Sequence, residues 1–90
     1  MDIEFDPQKS ETNAEERGLP FSMAEEFDFS TAHYQIDDRR DYGEVRIRAL
    51  GLIGDRVHSL VFTETATGIR VISLRKANQR EVKRYEQENH

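Results

Sequence analysis

The 90-residue chain contains no cysteine, and only 36% of its residues are hydrophobic. Without cysteine, neither a disulfide scaffold nor a thiolate metal site can form. No apolar run approaches the roughly 20 residues that a membrane-spanning helix needs. The first residues, Met1-Asp2-Ile3-Glu4, lack the basic and apolar regions of a signal peptide. We therefore expect a soluble cytoplasmic protein, without a membrane partner, that forms one domain over residues 1–90.

Acidic residues outnumber basic ones, 18 to 13, and the two kinds are unevenly distributed along the chain. Residues 1–44 contain 13 acidic and 4 basic side chains, which gives −9, and residues 45–90 contain 5 acidic and 9 basic ones, which gives +4. The sum is the net charge of −5, which argues against general nucleic-acid binding. The second half can nevertheless present a basic face to phosphates, while the acidic first half suits a basic partner.

Two helices are predicted in the acidic half. Asp6-Pro7 is typical of a helix start and Gly18 of a helix end, so we predict a helix over residues 7–17. The capping-box pattern Ser22-Met23-Ala24-Glu25 predicts a second, shorter helix that ends near residue 28.

The remaining sequence is dominated by strand patterns. The predicted strands are Thr31–Ile36, Val45–Leu52, Val57–Thr63 and Ile69–Leu74. Short turns join the last three strands into an antiparallel meander, and Ile3 and Phe5 suit a short edge strand. Asn78 and Glu81 form a capping-box pattern that predicts a last helix to about residue 88. The predicted fold is α+β, with a three- to four-stranded antiparallel sheet and its helices packed on one face.

The most cationic stretch lies where the last predicted strand passes into the last helix. Cleavage of RNA without a metal needs a base for the ribose 2′-OH, cations for the pentacoordinate phosphate and an acid for the leaving 5′-oxygen. Arginine suits the second task because it is always charged and offers a planar fork to two phosphate oxygens. The candidates in this stretch are Arg70, Arg75 and Lys76, and Arg46 or Arg48, one or two strands away, can complete the cationic patch.

These cations also have a structural interpretation. Strand alternation places Arg70 opposite to Val71 and Ser73, so Arg70 joins Arg75 only if a twist or the strand end redirects one of them. The arginines can instead pair with carboxylates such as Glu44 and Glu64 on a solvated face.

Two residues of the last helix carry the same ambiguity. Tyr85 can donate a proton or stack on a base, or it can pack the helix against the sheet. Glu81 can act as a general base if apolar surroundings raise its pKa, or it can cap the helix and pair with Lys76 or Arg84.

The histidines show no metal-ligand spacing, so no metal site or cofactor is predicted. His33 and His58 fall in predicted strands, and His90 is the last residue. His33 and His58 can share acid–base catalysis only if their strands are neighbours. Sheet-face histidines with hydrogen-bond partners are the alternative interpretation.

The stretch I-R-V-I-S-L-R-K-A-N-Q-R-E-V-K-R-Y, residues 69–85, resembles the I-R-I-I-S-A-R-K-A-x-x-x-E-x-x-x-Y signature of the BrnT toxins. These are ribonucleases of bacterial toxin-antitoxin systems, grouped with the RelE-like fold. Three further segments resemble the family: Phe5-Asp6-Pro7-Gln8-Lys9 with Asn13, Gly18-Leu19-Pro20-Phe21 with Ala24 and Phe27, and Tyr42-Gly43-Glu44-Val45-Arg46 with Ala49-Leu50-Gly51. The resemblance implies RNA-cleaving or RNA-binding roles for Arg70, Arg75, Lys76 and Tyr85, and a supporting role for Arg46.

The chain departs from the family pattern at three positions. Glu16 and Arg17 stand where family members often have lysine and histidine, so a cation becomes an acid and a titratable histidine is lost. Thr65 stands where many members have arginine. These departures predict weak toxicity, a different specificity, or a compensating electrostatic role for Arg17. Arg17 is thus a further candidate for RNA binding. Arg80, in the last predicted helix, is another candidate.

The resemblance implies a toxin that cleaves mRNA without a metal and inhibits translation. It also implies a BrnA-like antitoxin with a ribbon-helix-helix DNA-binding domain. In the family, two toxins and two antitoxins form a hetero-oligomer that represses its own operon. Only the antitoxin contacts DNA, so the toxin is linked to DNA indirectly. An alternative hypothesis is a catalytically weak or inactive homologue that acts as an antitoxin-binding co-repressor. A third is a small domain whose arginines serve solubility.

Overall fold

The structure is a computed structural model that describes residues 1–89. Its elements are β1 (Asp2–Glu4), α1 (Pro7–Arg17), a 3₁₀ helix (Phe21–Glu26), β2 (His33–Ile36), β3 (Ile47–Ile53), β4 (Arg56–Glu64), β5 (Gly68–Lys76) and α2 (Gln79–Glu88). Within these residues the strands form one sheet in the order β1-β5-β4-β3-β2. β1 runs parallel to β5, and the other neighbours are antiparallel.

The predicted α+β class is confirmed, but the predicted three- to four-stranded antiparallel sheet is wrong. The sheet has five strands and is mixed, because residues 2–4 pair in parallel with residues 68–70 at the edge of β5. The pattern of Ile3 and Phe5 indicated an edge strand but contained nothing that specified its partner or its direction.

Local capping fixes both ends of α1 as predicted. The Asp6 side chain accepts a hydrogen bond from the Gln8 backbone N–H at 2.9 Å, and Pro7 occupies the first helical position. Gly18 ends the helix in the left-handed region with φ of 69°. Glycine adopts that conformation without the steric penalty that a Cβ atom brings.

The second predicted helix is a 3₁₀ helix, and its predicted capping box is wrong. The cap position is Pro20, and no side chain caps the helix there. The Ser10 hydroxyl of α1 accepts a hydrogen bond from the Phe21 backbone N–H at 2.8 Å. The backbone N–H at the start of this helix is therefore satisfied by a long-range contact. For this reason the local sequence pattern wrongly indicated a cap at Ser22.

The core lies on both faces of the sheet, so the prediction that the helices cover one face is wrong. On one face the 3₁₀ helix packs Phe21 and Ala24 against strand residues such as Leu60. On the other face, Tyr85 of α2 packs against residues that include Leu50. Residues 57–63 of β4 are all buried, as expected for a strand that is covered on both sides.

A β-bulge in β5 changes which of its side chains share a face. Val61 of β4 is paired with Ser73, whereas the next residue, Phe62, is paired with Val71. Ile72 is therefore the extra residue, and strict alternation along β5 is interrupted at this point.

The bulge places the two arginines of β5 on the same face. Val71 and Leu74, three positions apart, both belong to the core that the 3₁₀ helix covers. Arg70 before the bulge, and Ser73 and Arg75 after it, therefore point to the opposite face. This is the redirection that strand alternation alone did not predict.

The predicted capping box of α2 is confirmed. Asn78 Oδ1 accepts a hydrogen bond from the Glu81 backbone N–H at 2.9 Å, and Glu81 Oε1 accepts one from the Asn78 backbone N–H at 3.0 Å. No helix formed by residues 1–89 has the length and apolar content needed to cross a bilayer.

A cationic groove as the candidate active site

An open groove with a volume of about 450 Å³ lies between α1 and the face of the sheet that carries Arg75. Small and apolar side chains of β4 and β5, such as Ser59, Val61 and Ser73, line its floor. Five basic side chains and one acidic side chain line it. The basic residues are Lys9, Arg17, Arg39, Arg48 and Arg75, and the acidic residue is Glu16. We call this site the cationic groove.

Cross-strand pairing brings Arg48 and Arg75 to the same surface. Arg48 of β3 is paired with Val61 of β4. Val61 is paired with Ser73 of β5, which is two residues before Arg75. Paired residues point to the same face, so Arg48 and Arg75 share a face. Neighbouring strands lie about 4.8 Å apart, and β3 and β5 are therefore separated by roughly 10 Å across the sheet. Two long guanidinium side chains at that spacing can approach one phosphate from opposite sides.

Arg75 is held by Glu81 in a bidentate ion pair. Arg75 Nη1 and Nη2 donate to Glu81 Oε1 and Oε2 at 2.8 and 2.9 Å. The side chain of Glu81 is 13% exposed and that of Arg75 is 35% exposed. This pair fixes the orientation of the guanidinium of Arg75 at the edge of the cationic groove.

The same ion pair defines the protonation state of Glu81. The hydrogen bonds from Arg75, and to a smaller extent that from the Asn78 backbone N–H, lower the pKa of Glu81, although partial burial acts in the other direction. A raised pKa was the condition for a general base at this position, and that condition is not met. Glu81 caps α2 and pairs with Arg75, rather than with Lys76 or Arg84.

Arg48 is not neutralised by a direct ion pair. Its Nη2 donates to Gln35 Oε1 at 3.2 Å, an acceptor that it shares with Arg84. Among residues 1–89, no carboxylate oxygen lies within 4.0 Å of its guanidinium nitrogens. Arg48 therefore offers its charge to a bound anion without first having to release a carboxylate.

Arg46 and Arg70 lie on the same face but outside the groove, where both pair with Glu44. The distances are 3.2 Å from Arg46 Nε to Oε2 and 2.8 Å from Arg70 Nη2 to Oε1. The guanidinium of Arg46 also lies 4.0 Å from the ring centroid of Tyr42. Hydrogen bonds from Arg46, then from Arg70, lower the pKa of Glu44. The interpretation that these arginines pair with Glu44 is confirmed, whereas Glu64 pairs with neither.

Tyr85, Lys76 and Arg80 also lie outside the groove. Tyr85 is 8% exposed in the core beneath α2, with its hydroxyl 3.3 Å from Thr31 Oγ1, as its packing interpretation predicted. Lys76 follows Arg75 in β5 and therefore points to the opposite face of the sheet, and Arg80 is exposed in the first turn of α2.

The structure brings together Arg17, Arg48, Arg75 and Glu81. Catalytic or RNA-binding roles for all of the candidates stay predictions.

The departures from the family pattern fall in two places. Glu16 and Arg17, from the last turn of α1, both line the cationic groove. Thr65 instead lies in the turn between β4 and β5, where its Oγ1 accepts a hydrogen bond from the Gly68 backbone N–H at 3.0 Å. The first two departures therefore alter the charge of the groove directly, and the third does not.

Asn13 sets the position of α1 beside the sheet, a role that sequence reasoning missed. Its Nδ2 donates to the backbone carbonyls of Leu19 and Leu74, at 2.7 and 2.9 Å. Leu74 lies in β5, beyond the part of that strand that β1 covers, so Asn13 satisfies a carbonyl at the sheet edge. No local pattern indicates the contact with Leu74, because it joins residues 61 positions apart.

Sequence reasoning also missed Arg39, which reaches the groove from the loop between β2 and β3. Arg39 Nε and Nη2 donate to Asp37 Oδ1 and Oδ2 at 2.7 and 2.8 Å. Asp37 is 5% exposed, so the pair anchors the loop at the end of the groove. The Asp-x-Arg spacing was visible, but such spacings are common in polar loops.

The Asp37–Arg39 pair predicts a specific dependence of stability on pH. Hydrogen bonds from Arg39 hold the pKa of Asp37 at about 2, below the ordinary value of 3.8. Because the folded-state pKa is depressed, the stabilisation is complete above about pH 4 and is lost as the pH falls towards 2. We expect Asp37→Asn to lower the free energy of unfolding by about 1–2 kcal/mol at pH 6, since Arg39 is largely exposed to solvent.

Urea denaturation of wild type and Asp37→Asn between pH 2 and pH 7 measures this effect. The difference between the two proteins should shrink as the pH falls from 4 to 2. Asp38→Asn, which removes the charge of the exposed neighbour, serves as the control and should change little. A difference that is the same at every pH would contradict the assignment.

The two histidine-bearing strands are not neighbours, so the condition for a His33–His58 pair is not met. β3 lies between β2 and β4. His58 is 4% exposed, and its Nδ1 lies 2.8 Å from the Arg56 carbonyl oxygen. Within residues 1–89, no three His, Asp or Glu side chains are grouped so that they could hold a metal ion. His90 lies outside the described residues.

The chain matches the model of a known family. A family model described as "Ribonuclease toxin, BrnT, of type II toxin-antitoxin system" matches residues 5–81. That span runs from just before α1 to the first turn of α2 and contains the basic residues of the cationic groove together with Glu81. Comparison with the curated proteins finds no match.

Proposed function

The chain belongs to the family of BrnT ribonuclease toxins of type II toxin-antitoxin systems, and we propose that it cleaves mRNA in the cationic groove and thereby inhibits translation. The observation that carries the proposal is the position of Arg48 and Arg75 on one face of the sheet, with no carboxylate oxygen of the described residues within 4.0 Å of the Arg48 guanidinium nitrogens. A phosphodiester is the anion that two such guanidiniums would bind.

The proposed reaction needs no bound metal. The ribose 2′-oxygen attacks the neighbouring phosphorus, the bond to the 5′-oxygen breaks, and the products are a 2′,3′-cyclic phosphate and a 5′-hydroxyl. Arg75 and Arg48 hold the non-bridging oxygens, whose negative charge increases in the transition state. Glu81 keeps Arg75 in position, as its bidentate pairing at 2.8 and 2.9 Å supports.

The proposed partner is a BrnA-like ribbon-helix-helix antitoxin. It neutralises the toxin and contacts DNA while the toxin is bound to it. The net charge of −9 on residues 1–44 would favour a basic segment of that partner. A complex of two toxins with two antitoxins is the expected assembly.

A catalytically weak or inactive co-repressor is the second candidate function. Two observations favour it. Glu16 adds a carboxylate to the groove, and Glu81 already accepts hydrogen bonds from both terminal nitrogens, Nη1 and Nη2, of Arg75. Both features oppose the binding of a phosphate. This alternative predicts antitoxin binding without cleavage of RNA.

A cleavage assay with purified protein, mRNA and EDTA distinguishes the two functions. We expect wild type to cleave in the presence of EDTA, and Arg48→Ala combined with Arg75→Ala to lose cleavage. The matched control is Arg56→Ala with Lys83→Ala, which removes two positive charges from a separate cleft beside α2. Induced expression of the same variants should stop growth for wild type and the control only. Soluble wild-type protein that leaves RNA intact would favour the co-repressor.

A further inference from the structure

One row of paired residues runs across four strands and ends at Arg75. His33 of β2 is paired with Leu50, Leu50 with Ser59, and Ser59 with Arg75. Since directly paired residues point to the same side of a sheet, His33 lies on the face that carries the cationic groove. His58 is one position from Ser59 and therefore points to the other face.

His33 lines a small depression beside the groove. Gln35, Arg48, Leu50, Ser59, Glu81 and Arg84 complete the lining of this depression. Arg48 and Ser59 also line the cationic groove, so the two spaces share a wall. Arg48 is paired with Gln35, two positions from His33 on β2, so a phosphate bound by Arg48 would lie close to the imidazole of His33.

The other candidates for proton transfer are less suited to it. Tyr85 is buried beneath α2 and bonded to Thr31, and Glu81 is held in its ion pair with Arg75. No histidine within residues 1–89 lines the groove itself. His33, in the row of paired residues that ends at Arg75, is the imidazole on this face of the sheet beside the groove.

We propose that His33 is the general base of the ribonuclease reaction, an assignment that rests on the proposed function. Its neutral imidazole accepts the 2′-OH proton as the bond from the 2′-oxygen to phosphorus forms. The bond from phosphorus to the 5′-oxygen breaks, and water supplies the proton to that oxygen. The imidazolium returns its proton to solvent, so atoms and charge balance. The charged groups that face His33 are Arg48 from β3 and Arg84 and Glu81 from α2.

The test compares wild type with His33→Gln in single-substrate cleavage kinetics across pH 5 to 9. We expect kcat to fall on the order of 100-fold while KM changes by less than about threefold, because general acid–base catalysis contributes on that scale. Wild type should lose activity as the pH falls through the range in which imidazoles become protonated, and His33→Gln should lack this limb. Imidazole added to His33→Gly should restore part of the rate. Ile36→Gln, on the same strand but on the opposite face and 62% exposed, should behave like wild type.

Each outcome bears on the assignment. Wild type that cleaves, together with His33→Gln that has the same kcat and pH profile, overturns the role of His33 and leaves the proposed function intact. A loss of rate with an unchanged acid limb and no rescue by imidazole also overturns it and indicates a packing role, which unfolding curves of both variants would reveal. Wild type that fails to cleave RNA at any pH overturns both proposals.

Discussion

Replacement of Arg75 with alanine should reduce the rate of RNA cleavage on the order of 100- to 1000-fold. Enzymes lose rate on this scale when one hydrogen-bond donor to a negatively charged transition-state oxygen is removed. The same change should also lower the free energy of unfolding by about 1–2 kcal/mol. The reason is that Glu81, whose side chain is 13% exposed, loses both of its hydrogen bonds from Arg75. Initial cleavage rates and urea denaturation measure the two effects separately.

A second variant separates the structural role of Arg75 from its proposed catalytic role. Arg75→Ala combined with Glu81→Ala removes both charges of the pair, so no unpaired carboxylate stays behind. We expect the double variant to recover part of the lost stability relative to Arg75→Ala and to stay inactive. Recovery of cleavage together with stability would contradict a direct role in phosphate binding, because it would show that Arg75 acts only through folding.

The elements that could be predicted from sequence are those whose determinants are local. Asp6-Pro7 and Gly18 fix α1, and Asn78 with Glu81 fixes the start of α2, because each of these signals acts within one turn of helix. The start of the 3₁₀ helix could not be predicted in this way, since the backbone N–H of its first residue, Phe21, donates to the side chain of Ser10, 11 residues earlier.

The site itself depends on one non-local feature, the bulge at Ile72. The pairing of Val61 with Ser73 and of Phe62 with Val71 is a property of two strands together, so the sequence of β5 alone could not predict it. Without the bulge, alternation would direct Ser73 and Arg75 to the core face. Arg17, Arg48 and Arg75 of the groove were therefore predicted as candidates, but their convergence was not.

The same reasoning explains which carboxylate each arginine meets. Arg70, before the bulge, reaches Glu44, which the chain contributes 26 residues earlier. Arg75, after the bulge, reaches Glu81 in the first turn of α2. The sequence predicted ion pairs as an alternative to catalysis, but spacing along the chain could not assign the partners. Arg48, in the cationic groove, forms no direct ion pair with a carboxylate of residues 1–89.

Replacement of Arg48 with alanine should reduce RNA cleavage on the order of 100-fold with almost no change in stability. Its side chain makes one hydrogen bond, to Gln35, and is not part of an ion pair within the described residues. Its loss therefore leaves no buried carboxylate unpaired, in contrast to the loss of Arg75. The free energy of unfolding should stay within about 0.5 kcal/mol of wild type.

Arg56→Ala removes the same charge from the exposed start of β4, away from the cationic groove, and should leave the cleavage rate unchanged. Arg48→Lys keeps the charge but loses the planar fork, so we expect a rate between those of wild type and Arg48→Ala. If phosphate binding is the role of Arg48, raising the salt concentration should weaken RNA binding less steeply in Arg48→Ala than in wild type. Equal salt dependence in the two proteins would mean that Arg48 does not contact the RNA backbone.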